Sequence, residues 1–146
     1  MIKERKRKER NDMNNLEKVN YFLTEAKLFY ITTVDGNKPK SRPIGFKMIE
    51  DNKLYFGIGT FKDVYKQLQI NPNIEIVATK EDGTWIRYDG KAKFVEDKAL
   101  EDKCLDLLGP VGKMYRDNNW KMGMFYIENG HVEIKAVINT VEEFDL

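Results

Sequence analysis

The residues best suited to chemistry lie between Arg42 and Leu68. A strand predicted over Leu54–Ile58 runs into a Gly-x-Gly pair, and glycines allow a sharp bend without a Cβ clash. The four residues from Thr60 to Asp63 then fit the Ser/Thr-x-x-acid capping box that begins a helix. A strand that leads into a helix N-terminus exposes unpaired N–H groups beside the positive end of the helix dipole, which favours a phosphate.

Two cations would complete such an anion site. Lys62 supplies a mobile ammonium, and Arg42 supplies a planar guanidinium that can grip two oxygens. The same residues also fit an ordinary turn, a helix cap and a solvated lysine. The stretch contains neither a Walker loop nor a GxGxxG motif. The residue types alone therefore leave both interpretations open.

Groups for self-sufficient catalysis are sparse. His131 is the only histidine and is predicted at the surface beside a turn, while Cys104 falls on the apolar side of a predicted helix. This pair has no metal-ligand spacing, and no serine lies in a nucleophile elbow. We therefore predict no metal site and assign no catalytic residue. Any enzymatic reaction is expected to depend on a cofactor.

Size and composition indicate one globular domain. The chain has 146 residues, of which 41% are hydrophobic, enough for a sizeable core. Its apolar runs are too short to cross a membrane, and the N-terminus lacks the apolar region of a secretory signal. A single cysteine excludes an intramolecular disulfide and fits the reducing cytoplasm.

Positive charge is concentrated at the N-terminus. Residues 1–10 carry six Lys/Arg and two Glu, a net charge of +4; since the whole chain is at +1, the remainder is at −3. We interpret residues 1–12 as a flexible basic arm and residues 13–146 as the folded domain. A basic arm can contact nucleic acid, but the acidic body argues against a nucleic-acid function.

Hydrophobic periodicity predicts the first elements. Apolar residues at helical spacing predict a helix from Asn14 or Asn15 to about Lys27, and Asp35-Gly36 is a strong hairpin signal. The return strand is predicted as one continuous strand over Ser41–Glu50.

The remaining elements complete a strand-rich chain. They are a helix that opens at Thr60 and ends near Asn71, strands over Ile74–Thr79 and Trp85–Val95, a helix over 97–108, a short irregular or helical piece over Val111–Trp120, and a strand region over Met124–Val137 broken at Asn129-Gly130. About six short strands joined by tight turns predict an antiparallel sheet that closes or nearly closes into a barrel. The fold class is therefore mainly β (α+β).

Four segments carry a resemblance to a known family: Arg42-Pro43, Thr60-x-Lys62-Asp63-Val64-Tyr65, Asn71-Pro72 and Trp85-Ile86-Arg87. In this order they resemble the small pyridoxamine-5′-phosphate-oxidase-like proteins, which share the FMN-binding split β-barrel. The likeness runs from about Leu16 to Phe94, with a weaker continuation to Ile138. It implies a six-stranded antiparallel split β-barrel with flanking helices.

The resemblance also implies a homodimer with two FMN sites at its interface. Arg42 would contact the cofactor phosphate or the ribityl oxygens, and the backbone of Pro43 and Ile44 would face the edge of the ring. Lys47 matches a position that approaches the flavin in relatives. Alternation along one continuous strand, however, places Lys47 on the face opposite Arg42.

The phosphate end would be enclosed by the end of a strand and the start of a helix. The residues implied there are Ile58, Gly59, Thr60, Lys62, Asp63 and Val64, the last two through their N–H groups. Trp85 and Arg87 would reach the site from the second chain. Part of this set coincides with the anion site derived above from residue types.

The resemblance leaves the reaction open. The chain ends in an acidic tail, Val141–Leu146, without the basic residues that grip the substrate phosphate in vitamin B6 oxidases. We therefore expect a flavin-dependent oxidoreductase with a small-molecule electron donor or acceptor such as NAD(P)H, and not a B6 oxidase. The alternative is a non-catalytic carrier of flavin, deazaflavin or haem, because relatives on this fold bind those groups as well.

Overall fold

The computed structural model describes residues 2, 3, 5 and 13–146. Most of the basic arm predicted over residues 1–12 therefore lies outside the described residues.

From Asn15 onward, helices and strands follow one another in an order that is mainly β. They are α1 (Asn15–Ala26), β1 (Phe29–Asp35), β2 (Lys38–Ile44), β3 (Lys47–Glu50), β4 (Lys53–Gly59), α2 (Asp63–Ile70), β5 (Asn73–Thr79), β6 (Thr84–Val95), α3 (Lys98–Leu107), α4 (Pro110–Asp117), β7 (Met122–Ala136) and β8 (Asn139–Asp145). The antiparallel β fold with flanking helices is confirmed, but this part of the chain has eight strands where six were predicted.

The strands form one antiparallel sheet in the order β2-β1-β5-β6-β7-β4-β3, with β8 added beside β7. The end strands β2 and β3 follow each other in the chain and are separated only by Gly45 and Phe46. The sheet must therefore curl until its two ends come together at this link. No ladder joins β2 to β3 among the described residues, so the barrel is split.

The continuous strand predicted over Ser41–Glu50 is wrong, because the chain leaves one end of the sheet and enters the other. Arg42 pairs with Ile31, and Lys47 pairs with Phe56. Both partners are fully buried in the same apolar cluster. Directly paired residues point to the same face of a sheet. Arg42 and Lys47 therefore both face the barrel core, and the predicted placement on opposite faces is also wrong.

Two apolar clusters lie on opposite faces of β4. On one face Leu54, Phe56 and Ile58 pack with α1 and α2 to form the barrel core. On the other face Tyr55 packs with α3 and α4. Cys104 of α3 is completely buried in this second cluster, as its apolar helix face predicted, and burial raises its pKa to about 12. A thiol in this environment is a packing residue.

The C-terminal third differs most from prediction. The break expected at Asn129-Gly130 is absent, because β7 continues through it with Asn129 at a φ of 52°. The acidic tail forms β8, which pairs with β7 and packs Phe144 against the barrel core. Three of its seven residues are acidic, and its sequence gave little strand signal. No described helix has the length and apolar character needed to cross a membrane.

Candidate functional site

Arg42 lies at the centre of the candidate site, where β2 faces α2. Its Nη1 donates to Thr33 Oγ1 at 2.7 Å and Nη2 donates to Gln67 Oε1 at 3.0 Å. A longer contact of 3.5 Å joins Nη1 to the carbonyl of Ile31. The Thr33 hydroxyl also donates to Gln67 Oε1 at 2.6 Å. The guanidinium is therefore held in one position by neutral acceptors, and it has more N–H donors than these contacts use.

The charge of Arg42 is not neutralised by a direct partner. No carboxylate in residues 13–146 forms an ion pair or hydrogen bond with it. Partial burial lowers the pKa of Arg42 below its usual value, and the negative charge of nearby Asp63 partly opposes this effect. An arginine remains protonated under such a shift. A half-buried cation held only by neutral groups is suited to an anionic ligand.

The helix beside Arg42 starts later than predicted. Lys62 is the N-cap residue of α2, and no side chain caps the helix. The capping box predicted at Thr60 is wrong, because the Thr60 N–H donates to the carbonyl of Lys121 at 2.9 Å and so extends the sheet. The N–H groups of the first turn are left without a side-chain acceptor, and the helix dipole makes this end attractive to an anion.

Two lysines flank the same helix end. Lys62 and Lys66 are exposed, and neither forms an ion pair within residues 13–146. They are four residues apart, so they lie on neighbouring positions of one helix surface. Arg42 thus contacts α2 at Gln67 and lies within electrostatic reach of Asp63 in its first turn. Lys62 and Val64 flank Asp63 in the chain.

Sequence reasoning missed the residues that hold Arg42. Thr33 is 1% exposed and follows Phe29 and Ile31 on the core-facing side of β1. A hydroxyl at a buried position of an alternating strand needs a partner, and this signal could have found it. Gln67 lies one turn after Asp63 and had no signal of its own.

The predicted residues at the end of β4 serve mainly as packing. Ile58 is buried in the barrel core. A Cβ at Gly59 would lie 2.7 Å from both Phe61 Cε1 and Tyr115 Oη, so the strand end admits only glycine without rearrangement. At the end of β2, Pro43 is exposed while Ile44 packs on the core.

Lys47 is committed to a different contact. Its Nζ donates to Asn20 Oδ1 at 2.7 Å and to Thr24 Oγ1 at 2.6 Å, both on α1. Burial lowers the pKa of Lys47. The ammonium of Lys47 therefore links β3 to α1. It makes no contact with Arg42 among the described residues.

Trp85 and Arg87 lie on the outer face of the sheet, which is the opposite face from Arg42. They alternate with Ile86, which is fully buried in the barrel core. The guanidinium carbon of Arg87 is 5.0 Å from the Trp85 ring centroid, and its Nη1 is 3.6 Å from Glu133 Oε2. One chain thus does not bring this pair together with Arg42.

Two atoms of this outer cluster lack a hydrogen bond. Arg87 Nε and Glu133 Oε2 are buried but make none with the described residues. Arg87 Nε lies 3.0 Å from Glu75 Oε1, without the alignment of a hydrogen bond. Buried polar atoms of this kind usually have partners.

His131 lies on the same outer face and joins β7 to β8. Its Nδ1 is 2.7 Å from Asp145 Oδ1, and its Nε2 is 2.8 Å from Glu143 Oε1. The hydrogen bond to Asp145, followed by that to Glu143, raises the pKa of His131. Atoms of His131, Glu133 and Glu143 lie within 4.8 Å of one another. An imidazole hydrogen-bonded between two carboxylates accounts for this exposed cluster.

Comparisons with known proteins identify the family and the fold. The family model described as pyridoxamine 5′-phosphate oxidase matches residues 16–137. Among solved structures, a NimC/NimA family protein from Clostridium acetobutylicum is 27% identical, with a TM-score of 0.81, over 90% of this chain and 92% of that one. No curated protein matches the sequence.

More distant structures share the fold alone. General stress protein 26 from Bacillus anthracis is 20% identical, with a TM-score of 0.65, over 92% of this chain and 100% of that one. A protein from Mesorhizobium loti described as FAD-binding is 15% identical, with a TM-score of 0.57, over 82% of this chain and 94% of that one.

Proposed function

The chain belongs to the pyridoxamine 5′-phosphate oxidase family, and on that premise we propose that it is a flavoprotein that binds FMN by its phosphate at the start of α2. The observation that carries the proposal is the half-buried guanidinium of Arg42, which is held only by the neutral oxygens of Thr33, Gln67 and Ile31. Arg42 interacts electrostatically with Asp63 in the first turn of α2, a helix that begins without a side-chain cap.

The donor set fits a phosphate ester. Such a group carries about two negative charges and accepts several hydrogen bonds. Arg42, Lys62 and the first-turn N–H groups of α2 supply donors, and Arg42 adds a fork that fits two phosphate oxygens. Asp63 opposes an anion, but it is exposed at the first helical position, where a carboxylate stabilises the helix itself.

We further propose that two copies complete each site. Trp85 and Arg87 face outward from the sheet while Arg42 faces the core, so a shared pocket requires the outer face of a second chain. The outer face carries the exposed ring of Tyr30 beside the half-buried Trp85 and Arg87. Covering this face in a symmetric dimer would bury these side chains.

A bound flavin would supply the redox chemistry, which involves transfer of a hydride or of single electrons. The chain itself would bind and orient it: Arg42 and Lys62 hold the phosphate, and the β2 edge at Pro43 and Ile44 borders the ring. We propose a flavin-dependent oxidoreductase of the cytoplasm that uses a small-molecule electron donor such as NAD(P)H. The second candidate is a carrier without turnover. It is favoured because, within residues 13–146, His131 lies on the outer face of the sheet and Cys104 lies in the second cluster, both away from the face that carries Arg42.

Three measurements on the purified protein test these proposals. Denaturation should release FMN, or the protein should acquire flavin absorption after FMN is added. Sedimentation should give a dimer. Anaerobic mixing with NADPH should bleach the bound flavin, whereas an inert flavin would indicate the carrier. A protein that neither contains flavin nor acquires it refutes the proposed function, and a monomer with flavin refutes only the shared site.

A further inference from the structure

A cavity lies beside the first residues of α1 and β4. Its volume is about 480 Å³, which is within the usual range of small-molecule sites. Leu16, Leu54 and Ile127 line it and belong to the barrel core or pack against it. Asn15 and Asn52 are among the polar residues of its lining. An apolar wall with a few polar groups is the usual composition of a ligand pocket.

This cavity is separate from the proposed phosphate site. Leu54 lies near the start of β4, whereas Lys62 follows the end of this strand. The extended chain from Leu54 to Gly59 spans about 17 Å. Neither Arg42 nor Lys62 lines the cavity. A ligand in the cavity would therefore leave the phosphate site free.

The hydroxyl of a deeply buried tyrosine opens onto the cavity. Tyr88 is 2% exposed and is part of the lining, yet its hydroxyl makes no hydrogen bond within residues 13–146. It is not one of the atoms sealed in this part of the chain without a partner, which are Arg87 Nε and Glu133 Oε2. A Cβ placed at Gly130 would lie 3.4 Å from Tyr88 Oη, so the hydroxyl lies close to Asn129, which also lines the cavity.

The Tyr88 hydroxyl determines which ligand chemistry suits the cavity. Burial raises the pKa of Tyr88, so the phenol keeps its proton at neutral pH and can donate a hydrogen bond. A buried donor without an acceptor costs free energy. A ligand that places an acceptor oxygen at this position would recover that cost.

The charges around the cavity favour a neutral ligand. Lys53 and Glu128 both line it, so an ion of either sign would meet a like charge. Lys53 Nζ lies 5.0 Å from the Tyr126 ring centroid, and the Tyr126 hydroxyl is 3.4 Å from Glu128 Oε1. The side-chain amides of Asn15 and Asn52 are neutral and make no hydrogen bond within residues 13–146.

These features point to one class of ligand. We infer that the cavity binds a small neutral carbonyl compound whose oxygen accepts a hydrogen bond from Tyr88 Oη. Its apolar body packs against Leu54 and Ile127, and the amides of Asn15 and Asn52 suit polar substituents. The inference does not depend on flavin binding, because the cavity shares neither Arg42 nor Lys62 with the phosphate site.

The test titrates acetophenone, which has a flat ring and one carbonyl oxygen, and follows the methyl groups of the protein by NMR. The methyl signals of Leu54 and Ile127 should shift, while that of Ile70, which is 88% exposed on α2, should not. Tyr88→Phe should weaken acetophenone binding by about 2- to 12-fold. It should not change the affinity for α-methylstyrene, in which a methylene group replaces the carbonyl oxygen.

Tyr126→Phe is the matched control. It removes the hydroxyl of a second tyrosine that lines the cavity, but this hydroxyl already has Glu128 as its partner. The affinity for acetophenone should therefore stay unchanged. Tyr88→Phe should unfold at no lower a temperature than the wild type, because the hydroxyl that it removes has no partner within residues 13–146.

Four outcomes would overturn the inference. If acetophenone at its solubility limit moves neither Leu54 nor Ile127, the cavity holds water only. If Tyr88→Phe binds acetophenone as tightly as the wild type, or no more weakly than Tyr126→Phe does, the Tyr88 hydroxyl does not recognise the carbonyl. Tighter binding of benzoate than of acetophenone would show that the cavity prefers an anion. Release of bound FMN by acetophenone would place the probe in the flavin site.

Discussion

Removal of the Arg42 guanidinium is the sharpest test of the proposed phosphate site. A hydrogen bond to a charged group contributes about 1.5–3 kcal/mol, which corresponds to about 10- to 150-fold in a dissociation constant. Arg42 is half-buried and held by Thr33 and Gln67, so little ordering is needed on binding, and Arg42→Ala should fall in the upper half of this range. Lys62 is exposed and mobile, so Lys62→Ala should fall in the lower half.

The cost to folding must be measured separately. In Arg42→Ala the Thr33 hydroxyl still donates to Gln67 Oε1, so neither side chain is left entirely unpaired. We therefore expect the free energy of unfolding to fall by only about 1–2 kcal/mol. Urea denaturation without ligand checks this figure, and flavin fluorescence titration gives the affinity for FMN.

Two controls define the result. Arg42→Lys keeps the charge but loses the fork, so it should bind FMN more weakly than the wild type and more tightly than Arg42→Ala. Lys93→Ala removes an exposed lysine of β6 and should not change FMN affinity. If the folded double variant Arg42→Ala/Lys62→Ala retains FMN as well as Lys93→Ala does, the assignment of the phosphate to this helix end is wrong.

Two further predictions concern the packing of α4 and the attachment of β8 to the sheet. Gly112→Ala places a Cβ 1.8 Å from the carbonyl oxygen of Leu105, so it should lower the free energy of unfolding by at least about 2 kcal/mol. Gly45→Ala is the control: its Cβ would meet no atom of a non-neighbouring residue within 4 Å, so the free energy of unfolding should hardly change. The pKa of His131 is raised in the fold, so the stabilisation that His131 gives to β8 is full below about pH 6.5 and is lost as pH rises through the folded pKa. The unfolding temperature of the wild type should therefore exceed that of His131→Gln at low pH, and the difference should shrink as pH rises. A difference that stays constant with pH would contradict this role of His131.

Local signals in the sequence predicted local structure well. Asn14 caps α1 with its Oδ1 2.9 Å from the Glu17 nitrogen, and Pro72 ends α2 just before it, as expected. The Asp35-Gly36 hairpin is also present, with Gly36 at a φ of 64°. Each of these elements depends on residues close together in the chain, so a short window contains the information.

The wrong predictions share a non-local cause. Thr60 fits a capping box, but its N–H is taken by Lys121 of a distant segment, and the gain from extending the sheet decides where α2 begins. The link at Gly45-Phe46 interrupts Ser41–Glu50 because the sheet curls as a whole. β8 forms because β7 offers a free edge to an acidic segment that has little strand signal of its own. Such competition cannot be seen within one window of sequence.

The candidate site was predictable in its charges and not in its architecture. Arg42 and Lys62 could be named from residue types and from the family resemblance. The partners that orient Arg42, Thr33 and Gln67, come from β1 and α2, and their meeting depends on how these elements pack. The face of the sheet toward which Lys47 points likewise depended on the break between β2 and β3. Electrostatic roles follow from residue identity, whereas hydrogen-bond partners follow from the fold.

The opposite orientation of Arg42 and Trp85 gives the shared site its own test. If each pocket takes Arg42 from one chain and Trp85 from the other, Arg42→Ala and Trp85→Ala should each bind FMN weakly as homodimers. In a heterodimer of the two variants, one pocket has both native residues and the other has neither. After random exchange of an equal mixture, about a quarter of all pockets should bind FMN with native affinity. A mixture that binds no more than the average of the two separate variants would show that Arg42 and Trp85 do not share a pocket across two chains.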